Sequence, residues 1–167
     1  MIMHKKQIFI GSLIILIIVS LCIIFCIKNN NSETYHKINV LVENGTLKGD
    51  KFSYTIENDI KVCNIEGEQL NICYYAQNSN DIYAVVSETI EEYDLELIYE
   101  KDCIKIRVSD DELQYWCRVD HSMNPKDINE EVYYNKIINC ISEQEIYDIN
   151  EQFNEYTAFI LKEYGGK

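Results

Sequence analysis

The strongest pattern in the chain is one uninterrupted apolar run. "IFIGSLIILIIVSLCIIFCI", Ile8 to Ile27, holds no charged residue, and fifteen of its twenty positions are Ile, Leu, Val or Phe. Twenty helical residues rise about 30 Å, the thickness of a bilayer's hydrocarbon core. At roughly −0.3 to −0.6 kcal/mol for each apolar residue near the helix centre, the run favours insertion by several kcal/mol. The pattern predicts a single transmembrane helix over residues 8–27. A cleaved signal peptide has a shorter core and small residues before the cut. Here the run is longer, and no Ala-x-Ala site follows it. Leu21 before Cys22 and Phe25 before Cys26 are too bulky for a lipoprotein leader, and Leu16 stands where a pilin-like leader needs Glu. The expected organisation is a short head (residues 1–7), the membrane segment (8–27), a polar linker (28–37) and one domain (38–167).

From Ile38 to Val119 the apolar positions alternate in short runs separated by turn signals, the mark of an antiparallel meander. "INVLVE" leads to "NG", "KFSYTIE" to "ND", and "IKVCNI" turns at "EGEQ" into "LNICYYA". "IYAVVSE" follows, and "YDLELIY" alternates Tyr93, Leu95, Leu97 and Tyr99 against acidic partners. Such alternation means one buried and one wet face. In "CIKIRVSDDELQYWCRV", a two-residue turn at Asp110-Asp111 would set Ile104 opposite Cys117, Ile106 opposite Tyr115 and Val108 opposite Leu113. Lys105, Arg107, Trp116 and Arg118 then share the outward face, with Cys103.

After the loop "DHSMNPKD" the period changes to that of helices. "NEEVYYNKIINCI" would bury Tyr133, Ile137, Cys140 and Ile141. Ser142 and Glu145 form a capping-box pattern, with Ile141 and Ile146 at the staple positions. The next helix carries Ile146, Ile149, Phe153, Tyr156 and Ile160 as a stripe and ends at Gly165-Gly166. With so short a link, a kinked or nearly continuous element over the sheet is expected. The fold class is α+β: an antiparallel β-meander with C-terminal helices packed on one face, preceded by a single N-terminal transmembrane helix.

Charge narrows the functional classes. The chain carries net charge −13, and setting aside Lys5 and Lys6 leaves −15 beyond the membrane segment. Such a domain repels phosphate backbones, which argues against nucleic acid as a partner. Positive residues flank the apolar run equally, Lys5 and Lys6 before it and Lys28 and Lys37 after it. The paired lysines of the short head resemble an export signal, so the C-terminal domain is placed outside the cytoplasm. Heavy use of Ile, Asn, Lys and Tyr with one Pro fits an AT-rich genome and a bacterial envelope protein.

Five cysteines lie beyond the membrane segment, with no Cys-x-x-Cys among them. An oxidising exterior would permit disulfides. If "GEQ" closes the third hairpin, Cys63 faces Cys73, and inward-pointing Cys117 can reach Cys140 on its helix. Cys103 is then a free thiol. The reduced, cytosolic alternative leaves all five unpaired.

Candidate chemistry is sparse. No catalytic residue, cofactor site or metal ligand set stands out. His121 has Asp120 beside it, but no nucleophile has motif context. The acidic clusters lack the alternating ligands of a calcium loop and read as solvated turns and a helix N-terminus. One constellation rises above this background. Arg107 and Arg118 are the only arginines and Trp116 the only tryptophan. All three project from one hairpin face beside Lys105. Trp and Arg dominate protein interfaces. A cation–π ladder that stabilises the sheet is the structural alternative. The sequence thus points to a membrane-anchored binding domain for a protein or envelope partner. Two further readings are a small envelope enzyme or thiol-active protein using His121 or Cys103, and an accessory subunit of a membrane complex. The segment's lack of a small-xxx-small motif or buried charge argues against the last.

Overall fold

A computed structural model of the chain describes residues 34–66, 70–76 and 82–166; the apolar segment 8–27 lies outside the described residues. Among the described residues no helix is long and apolar enough to cross a membrane. The architecture is α+β. Seven strands form one antiparallel sheet in sequence order: β1 (Phe52–Glu57), β2 (Ile60–Glu66), β3 (Asn71–Ala76), β4 (Ile82–Ile90), β5 (Tyr93–Glu100), β6 (Ile104–Ser109) and β7 (Gln114–Val119). Tight turns make this meander. At "ND", Asn58 (φ 51°) and Asp59 (φ 67°) supply the two left-handed residues of a primed hairpin turn. The β5 alternation holds: Leu95, Leu97 and Tyr99 are buried.

"INVLVE" is not a strand. Residues 34–43 are helical (α1), with Tyr35, Ile38, Leu41 and Val42 buried at helical spacing. "NG" is the helix's end rather than a hairpin. Gly45 adopts φ 62°, its N–H bonds to Val42 C=O and that of Thr46 to Leu41 C=O, a Schellman cap. Lys61 Nζ donates to Glu43 C=O at 2.7 Å, placing a cation on the helix's negative end. The expected linker boundary at residue 37 therefore falls inside a helix.

Two helices follow the sheet. α2 (Ile128–Ile137) starts at Asp127, whose carboxylate accepts from the N–H groups of Asn129 and Glu130. It buries Tyr134 and Ile137, whereas the expected Tyr133 is exposed. α3 (Glu143–Tyr164) opens on the Ser142–Glu145 capping box, with Ile141 and Ile146 both buried beside it. Residues 138–142 separate the two helices, so they are not one continuous element. Gly165 follows α3 in a right-handed conformation, and its N–H bonds to Leu161 C=O.

α3 crosses the strands steeply. Asn150 meets Tyr99 on β5, Thr157 meets Tyr74 on β3, and Tyr164 meets Phe52 on β1. Seven helical residues rise about 10.5 Å, close to the roughly 9.6 Å spanned by two strand spacings. One heptad therefore steps two strands. Phe153 stacks on Tyr99 (3.7 Å between centroids), and Tyr35 of α1 lies against both rings. Tyr83, beside the irregularity in the β4–β5 register, stacks on Tyr35. The inner face of the sheet is thus closed over by α1 and α3. Its two buried hydroxyls are matched: Tyr99 donates to Asn150 Oδ1 (3.1 Å), and those of Tyr74 and Thr157 share a bond of 2.7 Å.

Candidate functional site

The outer face of β6 and β7 carries the residues singled out in the sequence. The hairpin register pairs Ile104 with Val119, Ile106 with Cys117, Arg107 with Trp116 and Lys105 with Arg118. This is a shift of two residues from the expected pairing. The loop is longer than two residues because the Asp110 carboxylate accepts from the N–H groups of both Glu112 and Leu113, and Asp110 N–H bonds to Leu113 C=O. An even shift keeps every side chain within the strands on its face. Lys105, Arg107, Trp116 and Arg118 are therefore together, as the alternation implies.

Their partners divide the group. Lys105 Nζ stands 4.5 Å from the Trp116 ring centroid, a cation–π contact. Arg107 Nη2 lies 2.6 Å from Glu96 Oε2 of β5, while its buried Nε has no hydrogen-bond partner among the described residues. Trp116 is 47 % exposed. Beside it the face continues through half-buried Ile98, Val85 and Tyr75. Arg118 has a different task. Its Nε and Nη2 each approach Glu130 Oε1 at 2.7 Å, and its backbone N–H donates to Oε2 at 2.8 Å. Glu130 is buried, so this carboxylate fastens α2 to the free edge of β7. Arg118 C=O accepts from Lys126 N–H on that same edge. The hydrogen bond it donates to Glu130, then that carboxylate's charge, holds the Arg118 guanidinium more firmly protonated than usual. Glu130 reads in sequence only as a helix N-terminal acid. The signal for its larger role is that an arginine on an edge strand needs a partner on whatever covers that edge.

The five cysteines among the described residues are free. The β2–β3 register sets Cys63 opposite Tyr74 and Cys73 opposite Asn64, one residue from the expected pairing. An odd shift sends the two thiols to opposite faces, so no Cys63–Cys73 bridge forms. Cys73 Sγ donates to Asn64 Oδ1 on the outer face, and Cys63 is buried within. Cys117 and Cys140 are not joined either: Cys117 is buried under the sheet, and Cys140 Sγ donates to Lys136 C=O at the end of α2. Cys103 was expected on the outward face; it lies just before β6 and is buried instead, and its Sγ donates to Glu100 Oε2 at 3.3 Å. Burial, reinforced by Glu100, pushes its thiol up to about 11. A thiol held protonated at neutral pH is a poor nucleophile.

His121 does not pair with Asp120. The Asp120 carboxylate is occupied by the N–H groups of Ser122 and Asn124, and His121 Nε2 lies 3.2 Å from Lys101 C=O with its ring near Tyr35. Glu92, Asp94, Asp110, Asp111 and Glu112 line an open depression of about 430 Å³ at one end of the sheet. Among the described residues no group of three or more His, Cys, Asp or Glu side chains is placed to hold a metal ion. The arrangement can supply a flat aromatic and guanidinium surface. Searches of family models, of curated proteins and of solved structures each find no match to the chain.

Proposed function

We propose that the chain is a single-pass membrane protein whose domain presents the outer face of its sheet to a protein or envelope partner. Residues 8–27 form the anchor, and the domain lies outside the cytoplasm. The observation that carries the reading is Trp116: the one tryptophan is half exposed, flanked by Lys105 and Arg107 on an otherwise acidic body. An exposed tryptophan beside arginine has the composition of an interface hot spot. Among the described residues α1 and α3 pack on the opposite face and α2 on the β7 edge. Arg118, engaged by Glu130, belongs to the scaffold more than to the contact surface. The export reading rests on the apolar segment and on Lys5 and Lys6; the free thiols give it no support.

The test is a full-length chain carrying Trp116→Ala and Arg107→Ala together. Both sites are on the outer face, so the fold should persist while partners recovered from cross-linked cells are lost. An unchanged partner set contradicts the reading. Trypsin added to intact cells should remove the domain; survival until lysis contradicts the extracytoplasmic placement.

A further inference from the structure

The two edges of the sheet are treated differently. The β7 edge is covered: Glu130 takes the N–H of Arg118, Lys126 N–H bonds to Arg118 C=O, and Val119 bridges Pro125. Among the described residues the β1 edge is open. Its ladder to β2 is fixed by the two-residue turn that closes Glu57 on Ile60, and by the bond from Glu66 N–H to Lys51 C=O. Hydrogen-bonded pairs alternate in an antiparallel ladder, so Ser53, Thr55 and Glu57 face β2. Phe52, Tyr54 and Ile56 then turn their backbone groups outward. Phe52 N–H bonds to Gly49 C=O, whereas among the described residues nothing bonds to the N–H of Tyr54 or Ile56. Ile56 is 74 % exposed at this edge. Edges of this kind recruit another strand unless blocked by charge, proline or a covering element.

We propose that β1 pairs antiparallel with β1 of a second copy of this chain, centred on Tyr54. This register matches every position of the strand with a complementary one. Tyr54 faces itself and Ile56 faces Phe52, so the exposed isoleucine meets an aromatic ring on the inner side. On the other side Ser53 faces Thr55 and Lys51 faces Glu57, twice over by symmetry. Lys51 and Glu57 are both exposed, and opposite charges directly across strands are favourable. Each copy contributes two N–H donors, those of Tyr54 and Ile56, to the shared ladder. On a strongly acidic body the strand offers a self-complementary charge pattern, which argues for a second copy over a different partner.

The register makes a specific cross-linking test. Ser53 and Thr55 would form a non-hydrogen-bonded pair, with Cα atoms about 4.5 Å apart, within disulfide reach. Full-length chains carrying Ser53→Cys and Thr55→Cys separately are co-expressed and extracted in mild detergent. Under mild oxidation the mixture should give a dimer whose link mass spectrometry places between the two introduced thiols, and neither variant alone should give one through its introduced thiol. Adding Lys51→Glu or Glu57→Lys to both chains should cut the yield about tenfold, and combining the two should restore it. No link in the mixture, an introduced-thiol link from either variant alone, or a yield indifferent to the charge reversals overturns the proposal. Because β1 lies away from Trp116, Trp116→Ala should leave the cross-link intact even if partner binding is lost.

Discussion

The two faces of the sheet are made by the same alternating strands, yet they hold their aromatic residues for different ends. On the inner face Tyr74 and Tyr99 are buried under α1 and α3 and stacked against Phe153 of α3, with each hydroxyl bonded. On the outer face Trp116 lies half exposed beneath Lys105 and beside Arg107. Burial without an unmet polar group stabilises the fold. Exposure of a large ring contributes little to stability and leaves its area for another molecule. Stability and recognition are therefore assigned to opposite sides of one layer.

Substitutions should separate the two roles. Phe153→Ala empties the centre of the inner cluster and should cost about 3–5 kcal/mol in denaturant unfolding. Tyr99→Phe keeps the ring but leaves buried Asn150 Oδ1 without its donor, an expected loss of about 1–3 kcal/mol by the same measurement. A pH series sharpens the contrast further. Burial, with Glu130 adding to it, pushes the Cys117 thiol up from the ordinary 9 to about 12. The unfolded chain therefore releases this proton first and binds fewer protons than the folded one. Stability from this group is whole below pH 9 and declines as pH rises toward 12. Cys117→Ala should flatten part of that alkaline decline, whatever its effect at neutral pH. The smallest effect belongs to the outer face: Trp116→Ala should change unfolding free energy by less than about 1 kcal/mol. If it costs as much as Phe153→Ala, the division between the faces is wrong.

Faces were legible in the sequence where registers were not. The period of two in "YDLELIY" and "IKIRV" assigns each side chain to a side, and a two-residue slip in the last hairpin left that assignment intact. The third hairpin slipped by one residue, and the same arithmetic moved Cys73 away from Cys63. Loop length decides between these cases. At Asp110 it depends on side-chain bonds to Glu112 and Leu113, which composition does not reveal. "INVLVE" misled for another reason. Its alternation suits a strand, but Tyr35, Ile38, Leu41 and Val42 together suit a helix, and the packing against Tyr83, Tyr99 and Phe153 selected the helix. The basic-aromatic group was legible as a group. Its partition was not, because Glu96 and Glu130 reach their arginines from other elements, Glu130 from twelve residues along the chain.

The most direct test places a photoreactive aromatic residue at Trp116 in the full-length chain and, separately, at Tyr133, which is comparably exposed at 45 % but lies on α2. Irradiated in living cells, the position 116 variant should form a discrete adduct that Arg107→Ala weakens, and the position 133 variant should not form it. Adducts at position 133 alone, or at neither position, would contradict the assignment of recognition to the outer face.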